Sequence, residues 1–92
     1  MKLQFEFSGY FNDVVGKEWI EISVDRETLT LGEALDALLI THEHFRDGFE
    51  KNNILIDGVF KAMFVIDNTL ANPDTIIQNE ALIRVFPPIC GG

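Results

Sequence analysis

The sequence predicts an α+β domain in which one main helix covers one face of a mixed sheet of four to five strands. Three observations carry this expectation. Two runs of alternating apolar and polar residues, 3–7 and 20–24, are separated by a glycine-flanked loop. A capping-box tetrapeptide beginning at Thr30 opens a leucine-rich stripe at helical spacing. Beyond it lie further apolar runs, separated by Asp-Gly, Asp-Asn and Asn-Pro-Asp turns.

In the first run, Leu3, Phe5 and Phe7 alternate with Gln4, Glu6 and Ser8, the period of a strand with one buried face. Gly9 and Gly16 bracket a loop, and Ile20, Ile22 and Val24 then give a second strand placed to pair with the first as a hairpin. Trp19 fits either face. In Thr30-Leu31-Gly32-Glu33 the threonine hydroxyl can accept from the backbone N–H of Glu33, while the glutamate reaches back to the N–H of Thr30. The helix that follows buries Leu31, Ala34, Leu35, Leu38 and Leu39, turns Glu33, Asp36 and Ala37 outward, and ends at Thr41-His42. Residues 43–53 fit a short second helix or a loop pinned by Phe45 and Phe49.

Ile54-Leu55-Ile56 and Val59-Phe60 flank Asp57-Gly58, a pair suited to a type I′ hairpin turn, and the run Ala62-Met63-Phe64-Val65-Ile66 follows. Asp67-Asn68 and Asn72-Pro73-Asp74 read as turns, and residues 81–86 as a last strand. Periodicity alone leaves the strand order open.

With 92 residues and 47% hydrophobic content, the chain suits a single domain over 1–92, with a tail at 87–92. Fifteen acidic against seven basic residues give a net charge of −8, which argues against nucleic acid as a partner, because no basic surface displaces phosphate counterions. The acids are dispersed and read as a solvated face. The lone Cys90, the opening Met1-Lys2-Leu3 and the lack of an apolar stretch of roughly twenty residues suggest a cytoplasmic protein with no membrane segment. His42 and His44 lie two apart with no further ligand at metal spacing, so no metal is expected. Phe5, Phe7, Phe45, Phe49, Phe60 and Phe64 fall at strand and helix spacing and read as core. A phosphate-cradling glycine loop and a nucleophile elbow are both missing from the sequence, and no bound cofactor is expected.

The sequence closes on Phe86-Pro87-Pro88-Ile89-Cys90-Gly91-Gly92. The two prolines fix φ and remove two donors, so the last strand is expected to end at Phe86 and the tail to project from it. A Gly-Gly end can thread a channel too narrow for other residues, which makes the Gly92 carboxylate the expected reactive group.

The stretch Met63-Phe64-Val65-Ile66-Asp67-Asn68-Thr69-Leu70, the polar link through Pro73, Asp74 and Asn79-Glu80, and the ending Val85 to Gly92 resemble the small subunit of molybdopterin synthase and the ubiquitin-like sulfur carriers (MoaD/ThiS). The resemblance implies a ubiquitin-like β-grasp fold with the first and last strands adjacent and parallel. It implies that a ubiquitin-activating-like adenylyltransferase uses ATP to convert Gly92 to an acyl adenylate, and that a sulfur donor then leaves a thiocarboxylate there. The acceptor it implies is a pyranopterin precursor held by the molybdopterin synthase large subunit. By position, Leu70 and Phe86 would belong to an apolar docking patch continued by Pro87, Pro88 and Ile89, with Gly91 and Gly92 inside the partners' active sites. The chain would supply sulfur without being an autonomous enzyme.

Three features depart from the family's common pattern. The loop at 8–16 lacks the usual helix start, residues 52–61 form an insertion, and Cys90 stands where a small or hydroxyl residue is common. Cys90 reads as a passive tail residue in an apolar neighbourhood, with a part in sulfur transfer as the alternative. A ubiquitin-like modifier joined to lysines through Gly92 would begin with the same activation, as would a carrier for thiamine thiazole or tRNA thiolation. A pure interaction domain would need no chemistry at Gly92.

Overall fold

The computed structural model describes residues 1–16 and 19–87. In chain order the elements are β1 (Lys2–Phe7), α1 (Tyr10–Val15), β2 (Trp19–Ser23), β3 (Leu29–Thr30), α2 (Leu31–Thr41), α3 (His44–Lys51), β4 (Leu55–Ile56), β5 (Val59–Phe60), β6 (Met63–Ile66), β7 (Thr69–Ala71), β8 (Ile76–Ile77) and β9 (Ala81–Phe86). Five strands form the main sheet in the order β2-β1-β9-β6-β7. β1 pairs antiparallel with β2 and parallel with β9, while β6 runs antiparallel to both β9 and β7. The result is the β-grasp: an opening hairpin, a crossing helix, and a last strand inserted beside the first.

Sequence chemistry accounts for most of this. The Thr30 hydroxyl accepts from the Glu33 N–H at 3.1 Å and the Glu33 carboxylate accepts from the Thr30 N–H at 2.9 Å, so the expected capping box starts α2. Leu31, Ala34, Leu35, Leu38 and Leu39 are buried along its length. Each buried leucine contributes roughly 1.5–3 kcal/mol over an exposed one, so tertiary packing holds this helix more than propensity does. Facing them are Leu3, Phe5 and Phe7 of β1, Ile20 and Ile22 of β2, Phe64 of β6, and Ile83 and Val85 of β9, all buried. The expected aromatic core forms as a chain, with ring centroids 6.5 Å apart for Phe5–Phe7, 6.2 Å for Phe7–Phe49, 5.5 Å for Phe49–Phe60 and 6.3 Å for Phe60–Phe64.

One sequence expectation fails. Residues between Gly9 and Gly16 form α1 where a loop was expected, with Gly9 as its N-cap and Gly16 as a left-handed C-cap whose N–H donates to Asn12 O at 2.8 Å. The glycines that suggested loop brackets are helix caps. Phe11 and Val15, four residues apart, are both buried, and their shared face carries the helix into the core.

For residues 43–53 the helical alternative is the observed one, as α3, with Phe45 and Phe49 buried beneath it. Asp57 and Gly58 have φ of 53° and 79°, as a type I′ turn requires, and join β4 to β5. Asp67 and Asn68, at 51° and 63°, make a second such turn between β6 and β7. The stretch 52–61, expected to be an insertion, therefore contains a separate hairpin, β4–β5. It extends the core, since Ile54 and Leu55 are buried and the Phe60 ring meets Phe49 and Phe64.

Candidate functional site

The two faces of the main sheet differ in chemistry. Residues directly opposite in register share a face, so the pairs Leu70–Val65, Val65–Arg84, Arg84–Glu6 and Glu6–Trp19 form one row across all five strands on the side away from the core. Leu70 is 67% exposed at one end of the row and Trp19 53% exposed at the other. A neighbouring row pairs Met63 with Phe86 on the same face, and a third aligns Leu82, Gln4 and Glu21. Leu70, Val65, Met63 and Phe86 thus lie on three adjacent strands as an apolar patch, with Arg84 at its border and the carboxylate of Glu6 beyond.

The expected docking residues Leu70 and Phe86 are brought to this one face. Sequence reading missed Met63 and Val65. The signal was present in the period-2 alternation of β6, which places both opposite the buried Phe64. Trp19, open at the sequence level, faces outward.

At its C-terminal end β9 runs through Phe86 to a half-buried Pro87. The N–H of Ser8 donates to Val85 O at 3.0 Å and carries the parallel ladder one step past β1. The patch and the root of the terminal segment therefore share one end of the sheet. The other expected site residues, Pro88, Ile89, Gly91 and Gly92, lie outside the described residues, as does Cys90.

Away from this end, Arg26 pairs with Glu33 beside the α2 cap. The Glu33 carboxyl sits below its ordinary value of 4.5, chiefly because it accepts from the Thr30 N–H and secondly because of the Arg26 guanidinium. His42 and His44 flank the Phe45 ring, with centroids 5.0 and 4.2 Å from it. Among the described residues no group of three His, Cys, Asp or Glu side chains converges as a metal site, and no helix is long and apolar enough to cross a membrane.

Comparison with known proteins places this geometry. The profile of the ThiS family matches residues 7–92, from the end of β1 through the Gly-Gly end. The chain belongs to the ThiS family. It falls within the MoaD/ThiS group of ubiquitin-like sulfur carriers, whose small subunits are non-catalytic partners in sulfur-transfer complexes. No curated protein sequence matches the chain.

Several solved structures share the fold. SAMP1 of Haloferax volcanii is 22% identical, with a TM-score of 0.78 over 100% of both chains. The small archaeal modifier protein 1 of Methanosarcina acetivorans is 15% identical, with a TM-score of 0.67 over 99% of this chain and 96% of that one. The matching chain in the complex of subunits 1 and 2 of the molybdopterin-converting factor of Helicobacter pylori is 22% identical, with a TM-score of 0.55 over 100% of both.

Proposed function

We propose that this ThiS-family chain carries sulfur as a thiocarboxylate on Gly92 and delivers it to a pyranopterin precursor in molybdopterin assembly. The observation that carries the reading is the family match over 7–92, which takes in the Gly-Gly end, on a fold whose last strand ends at Phe86, six residues before Gly92 in the sequence. A Gly92 carboxylate oxygen attacks the α-phosphorus of ATP on a ubiquitin-activating-like adenylyltransferase, pyrophosphate leaves, and an acyl adenylate forms. A sulfide-level donor then attacks the acyl carbon and displaces AMP. The resulting thiocarboxylate sulfur attacks an activated carbon of the precursor and displaces the oxygen leaving group there. Water then hydrolyses the acyl–sulfur bond so that the sulfur stays on the precursor as a thiolate, and the carboxylate returns for another cycle.

In this reading the patch of Leu70, Val65, Met63 and Phe86 docks the adenylyltransferase and the large subunit in turn. It supplies binding energy remote from the reacting carbon, which is where a carrier with two successive partners needs it. The likeness to a chain solved in complex with subunit 2 of a molybdopterin-converting factor supports the large subunit as a partner.

A second reading is favoured by the likeness to small archaeal modifier proteins of two organisms. There a lysine amine, in place of sulfide, displaces AMP and leaves an isopeptide bond at Gly92. Both readings predict that the cognate adenylyltransferase catalyses ATP–pyrophosphate exchange with this chain and that deletion of Gly92 abolishes it. The acceptor separates them. Sulfur appearing in the pterin on reconstitution with the large subunit marks a carrier for that pathway, whereas lysine conjugates in the cell mark a modifier. Sulfur reaching thiazole or tRNA uridine would keep the carrier chemistry and change its destination.

A further inference from the structure

The floor under the terminal segment is a residue that neither the family match nor the sequence motifs single out. Beyond the last register pair of Phe7 with Val85, Ser8 still hydrogen-bonds to Val85, and Gly9 comes to lie against Pro87. A Cβ on residue 9 would sit 2.9 Å from Pro87 Cγ and 3.3 Å from Cδ, so the proline ring occupies the space that any other residue would fill. Gly9 itself is held on both sides. Its φ of 65° with ψ of −145° is a conformation that side-chain-bearing residues rarely adopt, and its carbonyl accepts from the Asn12 N–H at 3.2 Å as α1 begins. Phe11, two residues on, is fully buried. The floor is therefore tied to the core by a helix, and Pro87 rests on it at the point where the chain leaves β9.

We propose that Gly9 is a positioning residue for the chemistry at Gly92: its missing Cβ seats the Pro87 ring against the end of β1 and fixes the point from which the terminal segment starts. This rests on the reading of Gly92 as the activated group. Acyl transfer inside a partner is sensitive to placement, and a shift of about 1 Å at a reacting centre can cost on the order of a hundredfold in rate. Pro87 stands five residues before Gly92, the group to be placed.

The test uses the full-length chain, ATP and its cognate adenylyltransferase, with ATP–pyrophosphate exchange as the readout. Gly9→Ala is expected to lower kcat roughly tenfold or more while leaving KM little changed, because the docking patch is untouched. Gly16→Ala is the control for backbone strain, since Gly16 also has a positive φ, of 79°, but an added Cβ there meets nothing within 4 Å among the described residues. It is expected to lose stability and keep its kcat. Pro87→Ala should reproduce the Gly9→Ala loss, and the double variant should lose no more than either single one. Equal effects of Gly9→Ala and Gly16→Ala on kcat, or additive losses in the double variant, would overturn the inference.

Two further outcomes keep the arms separate. Nuclear Overhauser contacts between the Gly9 α protons and the Pro87 ring are expected in the unaltered protein, and their absence would overturn the seat even if Gly9→Ala failed to fold. A lack of exchange with the unaltered chain, with those contacts present, would instead count against Gly92 as the activated group.

Discussion

If the Leu70 patch docks partners as proposed, Leu70 is the residue where binding and stability are expected to separate most cleanly. Its side chain is 67% exposed on the outer face of the sheet, so replacing it removes almost nothing from the core. Leu70→Glu is expected to leave the melting temperature within about 2 °C and to weaken binding to the adenylyltransferase at least tenfold, the scale of one buried leucine, as read by calorimetry. Unchanged affinity would remove the patch from the docking surface. Glu33 is the counterpart on the stability side. Its carboxyl is lowered in the folded state, first by the Thr30 N–H and then by Arg26, so folding favours the ionised form. That contribution is complete above the ordinary value of 4.5 and is lost as pH falls through the lowered folded value. Glu33→Gln should therefore flatten the acid limb of the stability curve, measured as the urea midpoint from neutral pH down through the carboxylate range.

Among the elements, α1 carries the clearest lesson. The strands and the main helix were legible because each has an uninterrupted period: Leu3-Phe5-Phe7 at two, and Leu31 to Leu39 at helical spacing. The segment Tyr10–Val15 is too short for a sustained period, holding only the pairs Tyr10–Val14 and Phe11–Val15 between glycines that carry loop and cap signals alike. The pairing of β3 with β8 was equally hidden, since each is two residues long and their contact is set by tertiary structure. The order β2-β1-β9-β6-β7 is not a local property at all, and only the family resemblance gave the parallel β1–β9 pair. Of the site, Leu70 and Phe86 came from that resemblance, whereas the row joining them through Val65 and Met63 needed the register. If α1 is integral to the core, Phe11→Ala should cost about 3–5 kcal/mol in a urea titration. A cost below about 1 kcal/mol would mean that the segment is only draped over the fold.

Viewed as a whole, the proposed function divides the molecule's labour between the core that the described residues close and the chemistry at Gly92. Among the described residues the buried hydrophobic side chains run from Leu3 to Val85 and no polar or charged residue is buried, so the core they form does not draw on Pro87. One residue appended after Gly92 is accordingly expected to abolish adenylation while shifting the melting temperature by less than about 2 °C. A large loss of stability would contradict that division.

A role as sulfur carrier stands most directly on the chemical state of Gly92. Intact-mass analysis with fragmentation of the protein isolated gently from its own cells reads that state, and fragmentation is essential because oxygen-for-sulfur exchange and oxidation of Cys90 or a methionine change the mass almost equally. For a sulfur carrier the expected result is a population whose added sulfur maps to the Gly92 carboxyl. A Gly92 that is always a plain carboxylate, neither sulfur-bearing in the free protein nor joined to another molecule, would contradict it.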